Sequence, residues 1–190
     1  MTASTPLDPR APFVLDTREL GRRPGAMRQV SRTVGAPDTW ALELVRVPAG
    51  GAVDLELRLE SVVDGVLVSG DIHAPIVAEC GRCLEPVSDA LDVDVQELFA
   101  YEPADHDEDQ PLLVGDFIDI EPLVRDAVML GLPLNPVCSD GCQGLCPMCG
   151  ARVADLDGDH SHDQSDPRWA ALTGVRADAN PEPTPQPTES

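Results

Sequence analysis

The chain contains no lysine. All 13 of its basic residues are arginines, and they face 34 acidic residues for a net charge of −21. A protein that grips duplex nucleic acid by neutralising phosphates carries the opposite balance. Broad binding to DNA, to RNA or to an anionic membrane surface is therefore excluded as the main activity, while a basic protein partner or a local basic patch stays open. Aromatic residues make up only 3%, so a core must be built from Leu, Val, Ile and Ala. No apolar run approaches the roughly 20 residues that span a bilayer. The longest, near Val128–Leu134, is far too short. Met1–Arg10 lacks an apolar stretch, so no secretory signal is expected and the chain is expected in the cytoplasm. Catalytic signatures are missing too: there is no Ser-His-Asp ordering, no phosphate-cradling glycine loop and no nucleotide fingerprint. The carboxylates are spread along strand faces and linkers, as on a solvated surface. The chain reads as a binding module and not an enzyme.

What is present is enough for a folded unit. The 190 residues are 42% hydrophobic, which suits one domain with a tail or with a small metal module. The first 37 residues hold six arginines against Asp8, Asp16 and Glu19, a surplus of three positive charges that leaves −24 for the rest. Arg22, Arg23 and Arg28 form a locally basic loop after a short strand at Phe13–Asp16. Such a loop is either plainly solvated or a contact for RNA or an acidic surface. From Trp40 to Tyr101 the pattern has period two. Val53, Leu55, Leu57 and Leu59 alternate with Asp54, Glu56, Arg58 and Glu60, which predicts a strand with one buried face. Leu42–Val47 and Leu91–Val95 repeat the theme, Pro48–Gly51 reads as a turn, Asp64-Gly65 is a hairpin signal, and a strand over Gly70–Glu79 leads into the first cysteines. Asp119 can cap a helix with Pro122 in its first turn and Ile120, Leu123, Val124, Ala127 and Val128 on one face, ended by Gly131 and Pro133.

The expected fold is α+β: an antiparallel β-meander or partial barrel with one covering helix and a cysteine-rich, zinc-binding C-terminal segment. The expected organisation is a flexible N-terminus over 1–12, a β-rich core over 13–134 with the helix at about 119–131, a cysteine-rich metal-binding segment over 135–172, and a disordered tail over 173–190. Glu102–Gln110, which contains His106, reads as a linker. Asp166-Pro167 starts a last short helix through Leu172.

Ligand-type residues fall into four small groups: Cys80 and Cys83, Cys138 and Cys142, Cys146 and Cys149, and His160 and His162. Two-residue spacing lets a tight turn aim two sulfurs at one ion, while the turn's N–H groups lower the thiolate pKa. Gly81 and Gly150 suit such turns because glycine tolerates positive φ. In a reducing compartment these cysteines read as metal ligands before disulfides, and no βαβ unit suggests a thioredoxin-like pair. Eight donors fill one or two structural Zn²⁺ sites. The preferred partition gives Cys80, Cys83, Cys138 and Cys142 one ion and Cys146, Cys149, His160 and His162 another. A rival partition makes one ribbon from Cys80, Cys83, Cys146 and Cys149, and four thiolates also suit iron. Spacing alone does not decide. His73 reads as a plain strand-surface residue.

The runs Glu79-Cys80-Gly81-Arg82-Cys83-Leu84-Glu85-Pro86, Leu132-Pro133-Leu134-Asn135-Pro136-Val137-Cys138 and Gly144-Leu145-Cys146-Pro147-Met148-Cys149-Gly150 resemble those of the YceD family of large ribosomal RNA subunit accumulation proteins. Asp166-Pro167-Arg168 and the opening Leu20-Gly21-Arg22-Arg23-Pro24-Gly25 resemble its actinobacterial branch. The resemblance runs from about Phe13 to Leu172. It implies a role in 23S rRNA accumulation and large-subunit biogenesis, with no enzymatic activity. The family label supplies no mechanism; the residues themselves suggest docking on a large-subunit precursor, with the acidic face toward a basic ribosomal protein and Arg22, Arg23 and Arg28 as contacts for 23S rRNA or that partner. Family members that keep the first two cysteine pairs and lack the later knuckle favour the preferred partition. The other class of function that the residues allow is a redox- or zinc-sensing binding protein.

Overall fold

The computed structural model describes residues 6–102, residues 110–162 and Arg168. The expected terminal helix from Asp166 through Leu172, apart from Arg168, lies outside the described residues, as do the tail over 173–190 and His106.

Among the described residues, seven strands and one α-helix form an α+β fold. The strands are β1 (Val14–Asp16), β2 (Met27–Gly35), β3 (Val45–Arg46), β4 (Ala52–Ser61), β5 (Gly65–Glu79), β6 (Pro86–Ala100) and β7 (Phe117–Asp119), and the helix α1 spans Glu121–Gly131. All strand pairs are antiparallel. β5 is the spine of a five-stranded sheet. Its first half pairs with β4 and its end with β3 along one edge, β6 runs along the whole of the other edge, and β2 pairs with β4. The sheet stays open. β1 and β7 form a separate two-stranded ribbon.

The alternation in β4 does what it predicts. Val53, Leu55, Leu57 and Leu59 are all buried, while the intervening charges face outward. Fully burying one such side chain contributes about 1.5–3 kcal/mol. Opposite them lie Val66, Val68, Ile72 and Ala74 of β5 and Leu91, Val95 and Phe99 of β6. Trp40 is buried against Phe13, with ring centroids 6.0 Å apart, so the scarce aromatics are spent joining the β1 ribbon to the sheet. α1 packs on β6, with Val124 and Val128 wholly buried. Its end approaches β6 closely: a Cβ on Gly131 would lie 2.6 Å from Val93 Cγ1.

Several sequence expectations shift. The strand expected over Leu42–Val47 is only Val45–Arg46, because an Ala41–Arg46 bridge folds the segment back on itself. The strand expected to start at Gly70 is the second half of the unbroken β5. Gly70 does not end it; it lets β4 come close, since a Cβ there would lie 2.1 Å from the Glu56 carbonyl oxygen. Ile120, not Asp119, holds the N-cap position of α1, yet Asp119 Oδ1 still accepts a hydrogen bond from Glu121 N at 2.9 Å. β2 replaces the expected basic loop from Met27 onward. Among the described residues no helix is long and apolar enough to cross a membrane.

Candidate metal centres and family membership

The long β5–β6 hairpin carries the first cysteine pair at its tip. β5 ends at Glu79, β6 starts at Pro86, and Cys80–Glu85 make the connection. Cys80 N donates to Glu85 O and Leu84 N to Cys80 O, both at 2.8 Å, which closes a tight knuckle. The residue in left-handed backbone conformation is Leu84, at φ 61°. Gly81, expected to supply that conformation, does not adopt it. Its N–H instead donates to Pro136 O at 2.8 Å and holds the segment after α1 against the hairpin tip. Arg82 tightens this junction. Its Nη1 donates to the carbonyls of Asp140 at 3.2 Å and Cys142 at 3.1 Å.

These contacts gather Cys80, Cys83, Cys138 and Cys142, whose sulfurs all lie within 4.8 Å of one another. Cys80–Cys142 is 3.8 Å and Cys83–Cys138 is 3.6 Å. None of the six cysteines forms a disulfide. Four thiolates at a Zn–S distance of about 2.3 Å in a tetrahedron stand about 3.8 Å apart, so this set fits a four-thiolate ion. Cys80 and Cys83 are buried and Cys138 is exposed.

The second knuckle repeats the first locally. Gly150 N donates to Cys146 O at 2.8 Å, Cys146 N donates to Ala151 O at 2.7 Å, and a Leu145–Arg152 bridge closes the loop. Gly150, directly after the second cysteine, is left-handed at φ 71°. It occupies the place that Leu84 holds in the first knuckle. A short 3-10 turn at Val153–Asp155 then brings back His160 and His162. Cys146, Cys149, His160 and His162 form a second set with ligand atoms within 4.8 Å. Cys149 Sγ lies 3.7 Å from His160 Nε2, close to the about 3.6 Å that tetrahedral zinc distances impose. His162 Nε2 is buried with no hydrogen-bond partner among the described residues. A buried imidazole nitrogen without a partner costs free energy, and a cation beside it removes that cost.

The electrostatics differ within each set. Backbone N–H groups of Cys138, Cys83 and Arg82 pull the Cys80 thiol down to about 6. Cys83 goes the other way, up to about 12. The Glu85 N–H, its largest single influence, lowers it, but burial and the neighbouring sulfurs together outweigh that. Cys142 also rises, because burial and Cys138 outweigh the Gly144 N–H. Cys146 falls to about 6 through the Cys149 N–H, His160 and the Met148 N–H. Cys80 and Cys146 thus ionise more readily than an ordinary thiol, whereas Cys83 and Cys142 resist ionising without a cation beside them.

The three expected contact arginines have different immediate surroundings. Arg22 lies over the Tyr101 ring, 4.6 Å from its centroid. Arg23 is exposed on the turn before β2. Arg28 sits on β2, where Nη1 donates to Asp16 O at 3.0 Å and Nε lies 3.4 Å from Glu19. His73 pairs with Asp92 across β5 and β6 at 2.6 Å. Sequence reasoning missed Arg82, Glu85 and Arg152. Glu85 and Arg152 form an ion pair of 2.7 Å, and each stands two or three residues after the second cysteine of its knuckle.

A family model described as large ribosomal RNA subunit accumulation protein YceD matches residues 68–176. The chain belongs to the YceD family. The YceD match begins in β5 and contains β6, α1 and all eight metal-type ligands, whereas Arg22, Arg23 and Arg28 precede it. The chain is similar to an uncharacterized protein of Mycobacterium tuberculosis, 47% identical over 167 residues that cover 85% of this chain and 80% of that protein. An uncharacterized protein of Mycobacterium leprae is 40% identical over 172 residues, 88% of this chain and 79% of the relative. The uncharacterized protein YlbN of Bacillus subtilis is 28% identical over 120 residues, 62% and 67% respectively. The mycobacterial relatives agree with the actinobacterial branch of YceD. No solved structure matches the chain.

Proposed function

We propose that this chain is a non-enzymatic cytoplasmic factor that supports 23S rRNA accumulation and large ribosomal subunit biogenesis. Membership of a family described by large ribosomal RNA subunit accumulation is the observation that carries this reading. Two structural zinc ions brace the molecule, one held by Cys80, Cys83, Cys138 and Cys142 and the other by Cys146, Cys149, His160 and His162. Thiolate and imidazole donors at these separations suit zinc. Four protein donors per ion leave no position for a reacting water, which supports a bracing role over a catalytic one. The partner is a large-subunit precursor, reached through 23S rRNA or a basic ribosomal protein. The charge of −21 suits the protein, and Arg22 and Arg23 suit the rRNA.

Sedimentation of a tagged full chain through a gradient of cell lysate, with rRNA and protein read in every fraction, tests this function. Co-migration with large-subunit precursors is expected. Migration only at the top of the gradient at the same salt contradicts it.

A second reading rests on one observation. Cys149 and His160 of the second set are exposed, whereas Cys80 and Cys83 of the first are buried. That exposure suits a redox- or zinc-sensing protein whose second centre releases its ion. Zinc loss under mild hydrogen peroxide supports it, and an inert loaded protein contradicts it.

A further inference from the structure

We propose that the recess beside Tyr101 receives one unpaired base of RNA, stacked against the Arg22–Tyr101 pair. This rests on the ribosomal reading above and names the nucleic-acid feature it would recognise.

The recess has a volume of about 220 Å³ and is lined by Leu20, Arg22, Val66, Tyr101, Leu113 and Asp116, among others. That is below the roughly 300–1,000 Å³ of clefts that enclose whole small molecules, so it admits one planar group. Its aromatic wall is held in place. Tyr101 Oη and Ser61 Oγ are 3.1 Å apart, Ser61 is fully buried, and Tyr101 N donates to Asp64 O at 2.9 Å. Its cationic wall is held at a conformational cost. Arg22 has φ 49°, directly after Gly21 at φ 56°. A left-handed residue with a Cβ is strained, and strain of this kind clusters at ligand-binding sites.

The charge pattern narrows the ligand. Arg18 is neutralised by Asp16, and Arg28 lies beside Glu19. Arg22 and Arg23 have no carboxylate partner among the described residues, so their charge is available beside the recess. The first 37 residues carry a surplus of three positive charges in a chain that is otherwise strongly acidic. A duplex, which presents phosphates along its length, meets mostly repulsion. A splayed base offers a π-face for the guanidinium and ring together with one nearby phosphate for the free charges.

The chain has a single tyrosine, so selective ¹³C-tyrosine labelling of the full protein gives one ring signal that reports on the recess directly. The probes are a single-stranded oligoribonucleotide and its perfect duplex. Stacking per base, as measured by truncation, corresponds to about 5-fold or more in affinity. The single strand is expected to shift the ring signal and the duplex is not. Arg22→Ala is expected to weaken binding at least about 5-fold, as is Tyr101→Leu. Arg46→Ala, on β3, is expected to bind as the parent does. A ring signal that does not move with RNA overturns the proposal. So do equal shifts with strand and duplex, equal binding by Arg22→Ala, or a shift evoked only by a basic protein. Co-sedimentation with precursors without a ring shift leaves the ribosomal reading standing and removes the recess. A ring shift without co-sedimentation does the reverse.

Discussion

Arg152 Nη1 lies 2.7 Å from Glu85 Oε1, and this ion pair joins the second cysteine knuckle to the first. Both side chains remain partly exposed, at 36% and 42%. An ion pair of that exposure contributes at most about 1 kcal/mol. Its role is therefore registry: it fixes where the second loop sits on the hairpin tip, helped by Gly144, where an added Cβ would lie 3.0 Å from Arg82 O.

Glu85→Gln is thus expected to change thermal stability by less than about 1 kcal/mol. It should speed the release of metal from the second set to a chelator and leave the first set unchanged. Chelator-challenge kinetics on the loaded protein check this. Equal acceleration at both sets would mean that the pair does not act locally.

Removing the metal is expected to loosen the region after α1 and spare the sheet. The first set links residues 55 positions apart in sequence. The segment that carries Cys138 and Cys142 has no strand or helix of its own. The sheet buries its own apolar face without any ion. Hydrogen exchange with and without chelator should show protection lost over residues 133–162 and kept in β4 and β5. Unchanged protection at the cysteine segments contradicts the arrangement.

The two left-handed positions give an opposed pair of substitutions. Leu84→Gly removes a left-handed Cβ at an exposed position, so it is expected to be neutral or to stabilise by up to about 1 kcal/mol. Gly150→Leu introduces the same strain and should destabilise by about 1–2 kcal/mol. Thermal denaturation of the loaded protein reads both.

Much of the fold is written in the chain because its core strands alternate cleanly, as in Val53–Glu60. The hairpin at Asp64-Gly65 and the face of α1 are equally direct. β2 is not legible, for a physical reason. Arg28 and Arg32 occupy positions on the same face of β2 as Val30 and the buried Val34, and so break the apolar alternation. Their guanidinium groups reach the backbone carbonyls of β1 and its approach: Arg28 donates to Asp16 O, and Arg32 to Pro12 O and Val14 O. Strand positions filled by snorkelling arginines look like a loop in sequence. The eight metal-type residues were legible from spacing. Leu84 was not, because a left-handed leucine leaves no compositional mark. Arg22 on Tyr101 and Glu85 on Arg152 join distant segments, which no local pattern encodes.

His73 gives a pH signature on the outer face of the sheet. The hydrogen bond to Asp92 raises its pKa above the ordinary 6.5, and the Asp92 and Asp54 charges add to this. The protonated pair contributes stability fully below pH 6.5 and loses it as pH rises through the raised folded value. The His73 ring proton is expected to titrate with a midpoint above 6.5, and Asp92→Asn should bring the midpoint back toward 6.5. The difference in melting temperature between the parent and His73→Gln should be largest in acid and fade above neutrality. A midpoint at or below the ordinary value contradicts this.

Native mass spectrometry of the full chain and its single-ligand variants tests the two-centre arrangement most directly. Two zinc ions per chain are expected. Cys83→Ser should remove one ion and leave the other, and His160→Ala should remove the ion that Cys83→Ser spares. One ion per chain, lost equally on replacing Cys83 or Cys149 and indifferent to His160, would mean a single shared ribbon and would contradict the arrangement.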